Sequence, residues 1–242
     1  MIKTLENTIE NYFQKNDQLS RVELLKAITI DFPYLTESTL KVYLSKLKKS
    51  GIINNPARGI YTISNKQSFA PEINQNLKKV YTKIQKEFPF INFCVWNTKW
   101  LNDFMRHQPF KNYTILEIDN DAVEQVFNSI NENAKNVYLN PDEEMFERYI
   151  STNTEEVTII KNLVTESPIL KTDKIQIPTL EKLLVDIITD KDLFAAQQGE
   201  LDFIYQSAFN KYEVNELKMK RYAARRNREV ELERMMSTSL AK

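Results

Sequence analysis

The order of elements legible in the first seventy residues constrains the fold of this 242-residue chain more than any other feature. Ile2, Leu5, Ile9, Tyr12 and Phe13 recur at helical spacing, which predicts a first helix ending near Asn16. Ser20-Arg21-Val22-Glu23 then places an acidic side chain three residues after a serine, where each can satisfy the other's free backbone donor and so open a helix. That second helix should turn Val22, Leu24, Leu25 and Ile28 inward and stop before Pro33, because the residue preceding a proline resists the α conformation. Thr36 is placed to cap a third helix from Glu37 to about Ser50, with Gly51 just past its end. Ile52-Ile53-Asn54 and Ile60-Tyr61-Thr62-Ile63 flank Asn55-Pro56-Ala57-Arg58-Gly59, two β-rich runs about a turn.

Three helices followed by a hairpin is the order of a winged helix-turn-helix, in which the third helix enters the major groove of DNA. On that helix Leu40, Tyr43, Leu44 and Leu47 form one apolar stripe, leaving Ser38, Lys41, Val42, Ser45, Lys46 and Lys49 on the other side. Short hydroxyls beside lysines can approach base edges, Val42 suits a thymine methyl group, and Arg58 at the hairpin tip can reach an adjacent minor groove. These seven residues are the expected DNA contacts. The same module also serves proteins as an interaction adaptor, in which case Lys46, Lys48 and Lys49 only solubilise a helix end.

Ser64 to Ile73 is polar and contains Pro71, which predicts a first domain over residues 1–66 and a second over 67–242. In the second, helical and extended runs alternate: helix around Leu77 to Ile84, strand Phe93 to Trp96, helix around Trp100 to Met105, strand Tyr113 to Ile118, helix Ala122 to Ile130, strand Val137 to Leu139. An acidic helix Asp142 to Ile150 follows, then extended runs Val157 to Leu163 and Ile169 to Ile177. Leu180 to Thr189 is a helix started by Pro178, and the last helix should run from Glu213 to Met236. The expected class is α+β: a winged helix-turn-helix, then a mixed α/β domain with partly parallel strands and a helical carboxy-terminal end.

Rare residues prune the chemistry. Gly51, Gly59 and Gly199 are too few and scattered for a phosphate loop, a dinucleotide fingerprint or a nucleophile elbow. Cys94 and His107 are the only cysteine and histidine, short of a structural zinc site. Cys94, inside Phe93-Cys94-Val95-Trp96, reads as a buried inert thiol, and His107 as a polar helix end before Pro109. Glu117, Asp119 and Asp121 could hold a divalent cation for nuclease chemistry, but acids at a strand-to-helix turn are also favoured simply by the next helix's amino terminus. No metal and no cofactor are expected. No run approaches the ~18 apolar residues of a membrane span, and the first residues lack a signal peptide's apolar stretch, so no membrane partner and a cytoplasmic location are expected.

Thirty-three basic and thirty-three acidic side chains cancel, yet they are segregated. Residues 1–70 hold ten basic against six acidic, residues 71–215 fifteen against twenty-three, and residues 216–242 eight against four. Basic ends can meet a polyanion. Lys218, Lys220, Arg221, Arg225, Arg226 and Arg228 are accordingly a possible second basic contact, although a solvated helix face produces such runs as well.

The third helix Thr36 to Leu47, the wing Gly51 to Ile63, the stretch Ile177-Pro178-Thr179-Leu180-Glu181-Lys182-Leu183-Leu184-Val185-Asp186-Ile187 and the basic run Leu217 to Arg228 together resemble the AbiEi family of type IV antitoxins and related winged-helix transcriptional regulators. The resemblance implies a non-enzymatic antitoxin and autorepressor. Its winged helix would bind double-stranded DNA at its own promoter, and its carboxy-terminal domain would counteract a nucleotidyltransferase-like toxin.

Overall fold

The computed structural model of the chain describes residues 5–49, 52–63, 66–132 and 134–240. It is a mixed α+β structure that divides into two compact units, residues 1–68 with 211–213, and residues 69–210 with 214–242.

In the first unit the order is α1 (Leu5–Tyr12), β1 (Gln18–Ser20), α2 (Arg21–Asp31), α3 (Glu37–Lys49), β2 (Ile53–Ala57) and β3 (Ile60–Ile63). Ser20 forms the full capping box with Glu23: its side chain accepts from the Glu23 N–H at 3.3 Å while its own N–H donates to Glu23 at 2.8 Å. The helices and sheet close on one core of Leu5, Ile9, Leu24, Ile28, Leu40, Leu44, Leu47 and Ile53. Two expectations need correction, and one strand is added. The first helix ends at Tyr12, four residues early, and Ile2 lies outside the described residues. Val22 points outward, 62% exposed, because the stripe that α2 buries runs through Leu24 and Ile28. Gln18–Ser20 is a strand that the sequence does not announce: it pairs antiparallel with β3, giving a three-stranded sheet in the order β1-β3-β2. A Gln-Leu-Ser tripeptide carries no β pattern of its own, so a distant partner decides its conformation.

The second unit continues with α4 (Gln75–Glu87), β4 (Phe93–Asn97), a 3-10 helix Thr98–Phe104, β5 (Tyr113–Ile118), α5 (Val123–Asn131), β6 (Val137–Leu139), α6 (Glu143–Met145), a π-helical segment Phe146–Ile150 and β7 (Val157–Asn162). β8 (Ile169–Thr172), β9 (Ile175–Pro178), α7 (Leu180–Thr189), α8 (Ala195–Gln198), α9 (Leu201–Lys211), α10 (Glu216–Arg225) and α11 (Glu229–Leu240) complete it. The four-stranded sheet runs β4-β5-β7-β6, with β4 antiparallel to β5 and the β5-β7 and β7-β6 pairs parallel.

Both faces of the sheet are covered, so β5 is buried along nearly its whole length rather than alternating. Phe93 on one face stacks on Tyr81 of α4, ring centroids 4.6 Å apart. Trp96 on the other face stacks on Phe194 just after α7, at 6.0 Å.

Three sequence-based elements are broken in two. Ile169 to Ile177 is not one extended run but the β8-β9 hairpin. It turns at Asp173 and Lys174, both at positive φ (49° and 70°), a geometry that usually advertises itself with Asn-Gly or Asp-Gly. The helix expected from Asp142 to Ile150 is one α turn that widens into the π segment, where the Ser151 N–H reaches back five residues to the Phe146 carbonyl. The terminal helix is interrupted after Arg225, with Asn227 at φ 53°, so α10 and α11 are separate.

Candidate nucleic-acid interface

The surface nominated by the sequence is built on α3. Thr36 receives the Thr39 N–H at 3.3 Å and so fixes where the helix begins, which in turn fixes which residues face the core. Leu40, Leu44 and Leu47 are buried, with Tyr43 packed beside them. Ser38, Lys41, Val42, Ser45, Lys46 and Lys48 are exposed, Val42 at 55%. The Lys49 side chain and Gly51 lie outside the described residues. Lys41 makes only a 3.4 Å pair with Glu37, both well exposed, and such a pair opens at little cost when a phosphate competes. Lys46 sits over the Tyr43 ring, 5.8 Å from its centroid. The face is thus two hydroxyls and one valine bordered by lysines.

Beside it the β2-β3 hairpin ends in Arg58, exposed, and Gly59 at φ +78°, a conformation that a side chain would strain. The pairing shifts between Asn54 and Ala57, because Pro56 has no N–H to give the ladder. The Asn55 amide fills the gap by donating to the Ala57 carbonyl at 2.7 Å. The Gly59 carbonyl accepts from the Arg21 N–H at 2.7 Å, tying the hairpin turn to the start of α2.

The six carboxy-terminal cations fare differently. Arg225 pairs with Glu166 through two hydrogen bonds, of 2.6 and 3.1 Å, and Lys218, Lys220 and Arg228 lie 3.7, 3.9 and 3.5 Å from Glu181, Glu233 and Glu231. Arg226 is largely buried, 14% exposed, and donates to Asp190 at 2.6 Å, so this residue of the possible second basic contact is committed internally. Arg221 remains on the exposed surface of α10.

The carboxylates Glu117, Asp119 and Asp121 are not brought together. Among the described residues no three His, Cys, Asp or Glu side chains are arranged to hold a metal. Asp119 accepts from the Asn92 N–H at 2.9 Å, and Asp121 faces outward. Glu117 points into the interior, where it accepts from Trp96 Nε1 at 2.9 Å and from Lys182 Nζ at 2.7 and 2.6 Å. His107 does not end a helix; it follows the 3-10 segment, its ring exposed and 2.7 Å from Glu200.

A profile for a family of unknown function, DUF6577, matches residues 39–242. The chain belongs to that family. The matched region starts inside α3, so the family takes in most of that helix, the hairpin and the whole remainder of the chain. No curated protein matches it.

The feature of this family member that sequence reasoning missed is the charged row to which Glu117 belongs. Strand register sets Cys94, Glu117 and Lys161 side by side across β4, β5 and β7, and α7 lays Lys182, Asp186 and Asp190, four residues apart, over them. Lys182 also donates to Asp186 at 2.5 Å, Asp186 accepts from Tyr222 at 2.9 Å, and Lys161 bonds Asp190 at 2.5 Å. Burial alone would push the Lys182 pKa down, but Asp186 and Glu117 hold it well above the usual lysine value. Burial pushes Asp186 up, with Lys182 opposing; Asp190 feels the same burial but is pulled below the usual range by Lys161 and Arg226. The Cys94 thiol is raised by burial, and such a thiol is inert. Its hydrogen bonds and ion pairs tie β5 and β7 to α7, so the row is a buried clamp between sheet and helix. The four-residue spacing of Lys182, Asp186 and Asp190 was the available signal, masked by reading the helix through its leucines and isoleucines.

Proposed function

We propose that the amino-terminal unit is a winged helix-turn-helix that binds duplex DNA, and that the chain acts as a DNA-binding repressor. The observation that carries this reading is the order α1-β1-α2-α3-β2-β3 with its β1-β3-β2 sheet, together with an α3 face where Ser38, Lys41, Val42, Ser45 and Lys46 stand exposed beside the hairpin arginine Arg58. In such a module the exposed face of the last helix lies along base edges while the wing follows the backbone. The resemblance to the AbiEi family extends the proposal: the promoter bound is its own, and the second unit counteracts a nucleotidyltransferase-like toxin. Neither step requires an enzymatic centre in this chain.

The test is a gel shift on the gene's upstream DNA across a salt series. About four phosphate contacts give a slope of log affinity on log salt of about −3 to −4. Affinity for duplex DNA that ignores salt would refute the proposal. A second reading, a protein-interaction adaptor, draws on the exposed Val22, Ile30 and Tyr34 of the same unit, 62%, 81% and 73% exposed. Serine at these three positions should leave DNA binding unchanged if the first reading holds.

A further inference from the structure

Within the second unit, away from the charged row, a cavity of about 310 Å³ opens between the residues leading into β5, the π-helical segment and the chain entering α8. That size is at the lower end of small-molecule sites. Its lining includes two aromatic rings, Tyr113 and Phe146, which meet edge to face with centroids 6.2 Å apart, and the buried Leu193. The π segment carries Phe146 and Glu147, and such insertions into helices are frequent at functional sites.

Two further observations say what the cavity takes. Gln197, which lines it, is 3% exposed, and among the described residues its carboxamide bonds through its NH2 to the Met105 sulfur at 3.6 Å, a weak acceptor. Its amide is thus only weakly bonded, and the carbonyl oxygen of such a group accepts from a donor brought into the cavity. Around the opening stand Glu143, Glu147 and Asp192, none with a cationic partner among the described residues, against one cation, Lys111, whose ammonium is already given to the Ser151 carbonyl. The lining carries three carboxylates against one ammonium together with two aromatic rings, the combination that attracts a cation. Phe110, between the lining residues Pro109 and Lys111, is 107% exposed.

We propose that this cavity binds a small organic cation, a protonated amidine, guanidine or amine on a planar or short apolar body. The body lies against Tyr113 and Phe146, the cationic group meets the rim carboxylates, and one N–H reaches the Gln197 carbonyl.

The experiment titrates the full chain with benzamidine, its neutral isostere benzamide and the anion benzoate, followed by calorimetry and thermal shift. Benzamidine should bind saturably, with a dissociation constant near 1 mM or tighter. Benzamide should bind about tenfold more weakly and benzoate not measurably, since the rim charge is the discriminator. Two variants locate the site. E143Q/E147Q, at exposed positions, should weaken benzamidine about fivefold to tenfold without changing benzamide. A195W, whose indole enters the cavity from an exposed wall position, should abolish binding while the circular dichroism spectrum stays that of the parent. No saturable benzamidine binding, benzoate binding as tightly as benzamidine, or binding that survives in folded A195W would each overturn the proposal.

Discussion

Replacing Lys182 by methionine tests the clamp between β5 and α7. The side chain is fully buried and holds Glu117 at 2.6 Å and Asp186 at 2.5 Å, themselves only 5% and 4% exposed. Methionine keeps the length and removes the charge, leaving two neighbouring buried carboxylates with no ammonium between them. Glu117 retains Trp96, and Asp186 retains Tyr222 and the more distant Arg226 at 3.9 Å, so the charges are only partly compensated. Breaking a buried pair by deleting one partner costs about 3–5 kcal/mol. For a folding unit of this size that lowers the melting temperature by about 6–20 °C.

The loss also carries a pH signature. The raised pKa of Lys182 means that its contribution is complete below the unfolded-lysine value of about 10.4 and is lost only as pH climbs past the folded value. In K182M Asp186, whose pKa burial already raises, loses the ammonium that opposed that rise, so its folded value climbs further above the unfolded aspartate value of about 3.9. The folded variant then binds more protons than the unfolded one, and the deficit shrinks as pH falls from 8 toward 5. Urea unfolding of parent and K182M at several pH values measures this directly. Adding Glu117→Gln to K182M should restore part of the stability, because one unpaired charge is gone. A loss under about 1 kcal/mol, or a deficit that does not change with pH, would refute the clamp.

Arg226→Ala should destabilise by about 2–3 kcal/mol by leaving Asp190 short of a buried partner, while Arg225→Ala, an exposed pair, should leave the unfolding midpoint where it was. Ser20→Ala removes the capping box of α2 and should cost about 1 kcal/mol, seen in thermal melts of the full chain. In binding-site selection, substitutions at Ser38, Lys41 or Ser45 should change the preferred sequence, whereas alanine at Lys46 or Arg58 should weaken all duplexes evenly; identical preferences throughout would mean that α3 is not the reading element.

Some of this was written locally. The Ser20 cap with Glu23, the start of α3 at Glu37, strands Tyr113–Ile118 and Val137–Leu139 and helix Leu180–Thr189 coincide with what side-chain spacing and caps indicate, because each depends on neighbours within one or two turns. The exposed face of α3 was legible for the same reason. Tertiary structure decided the rest. Gln18–Ser20 became a strand because β3 passes beside it, and the β8-β9 turn formed through Asp173 and Lys174, residues with no strong turn preference in that pairing. α7 looked amphipathic in sequence but is buried on all sides, with the sheet under it and α10 packed against it. By spacing alone, Lys182 and Asp186, four residues apart, share one side of a helix as any i,i+4 pair does. Only strand register and helix packing bring Glu117, Trp96 and Tyr222 to them from distant positions in the chain, Glu117 lying 65 residues before Lys182 and Tyr222 36 after Asp186, and so turn two surface-type charges into the centre of the domain.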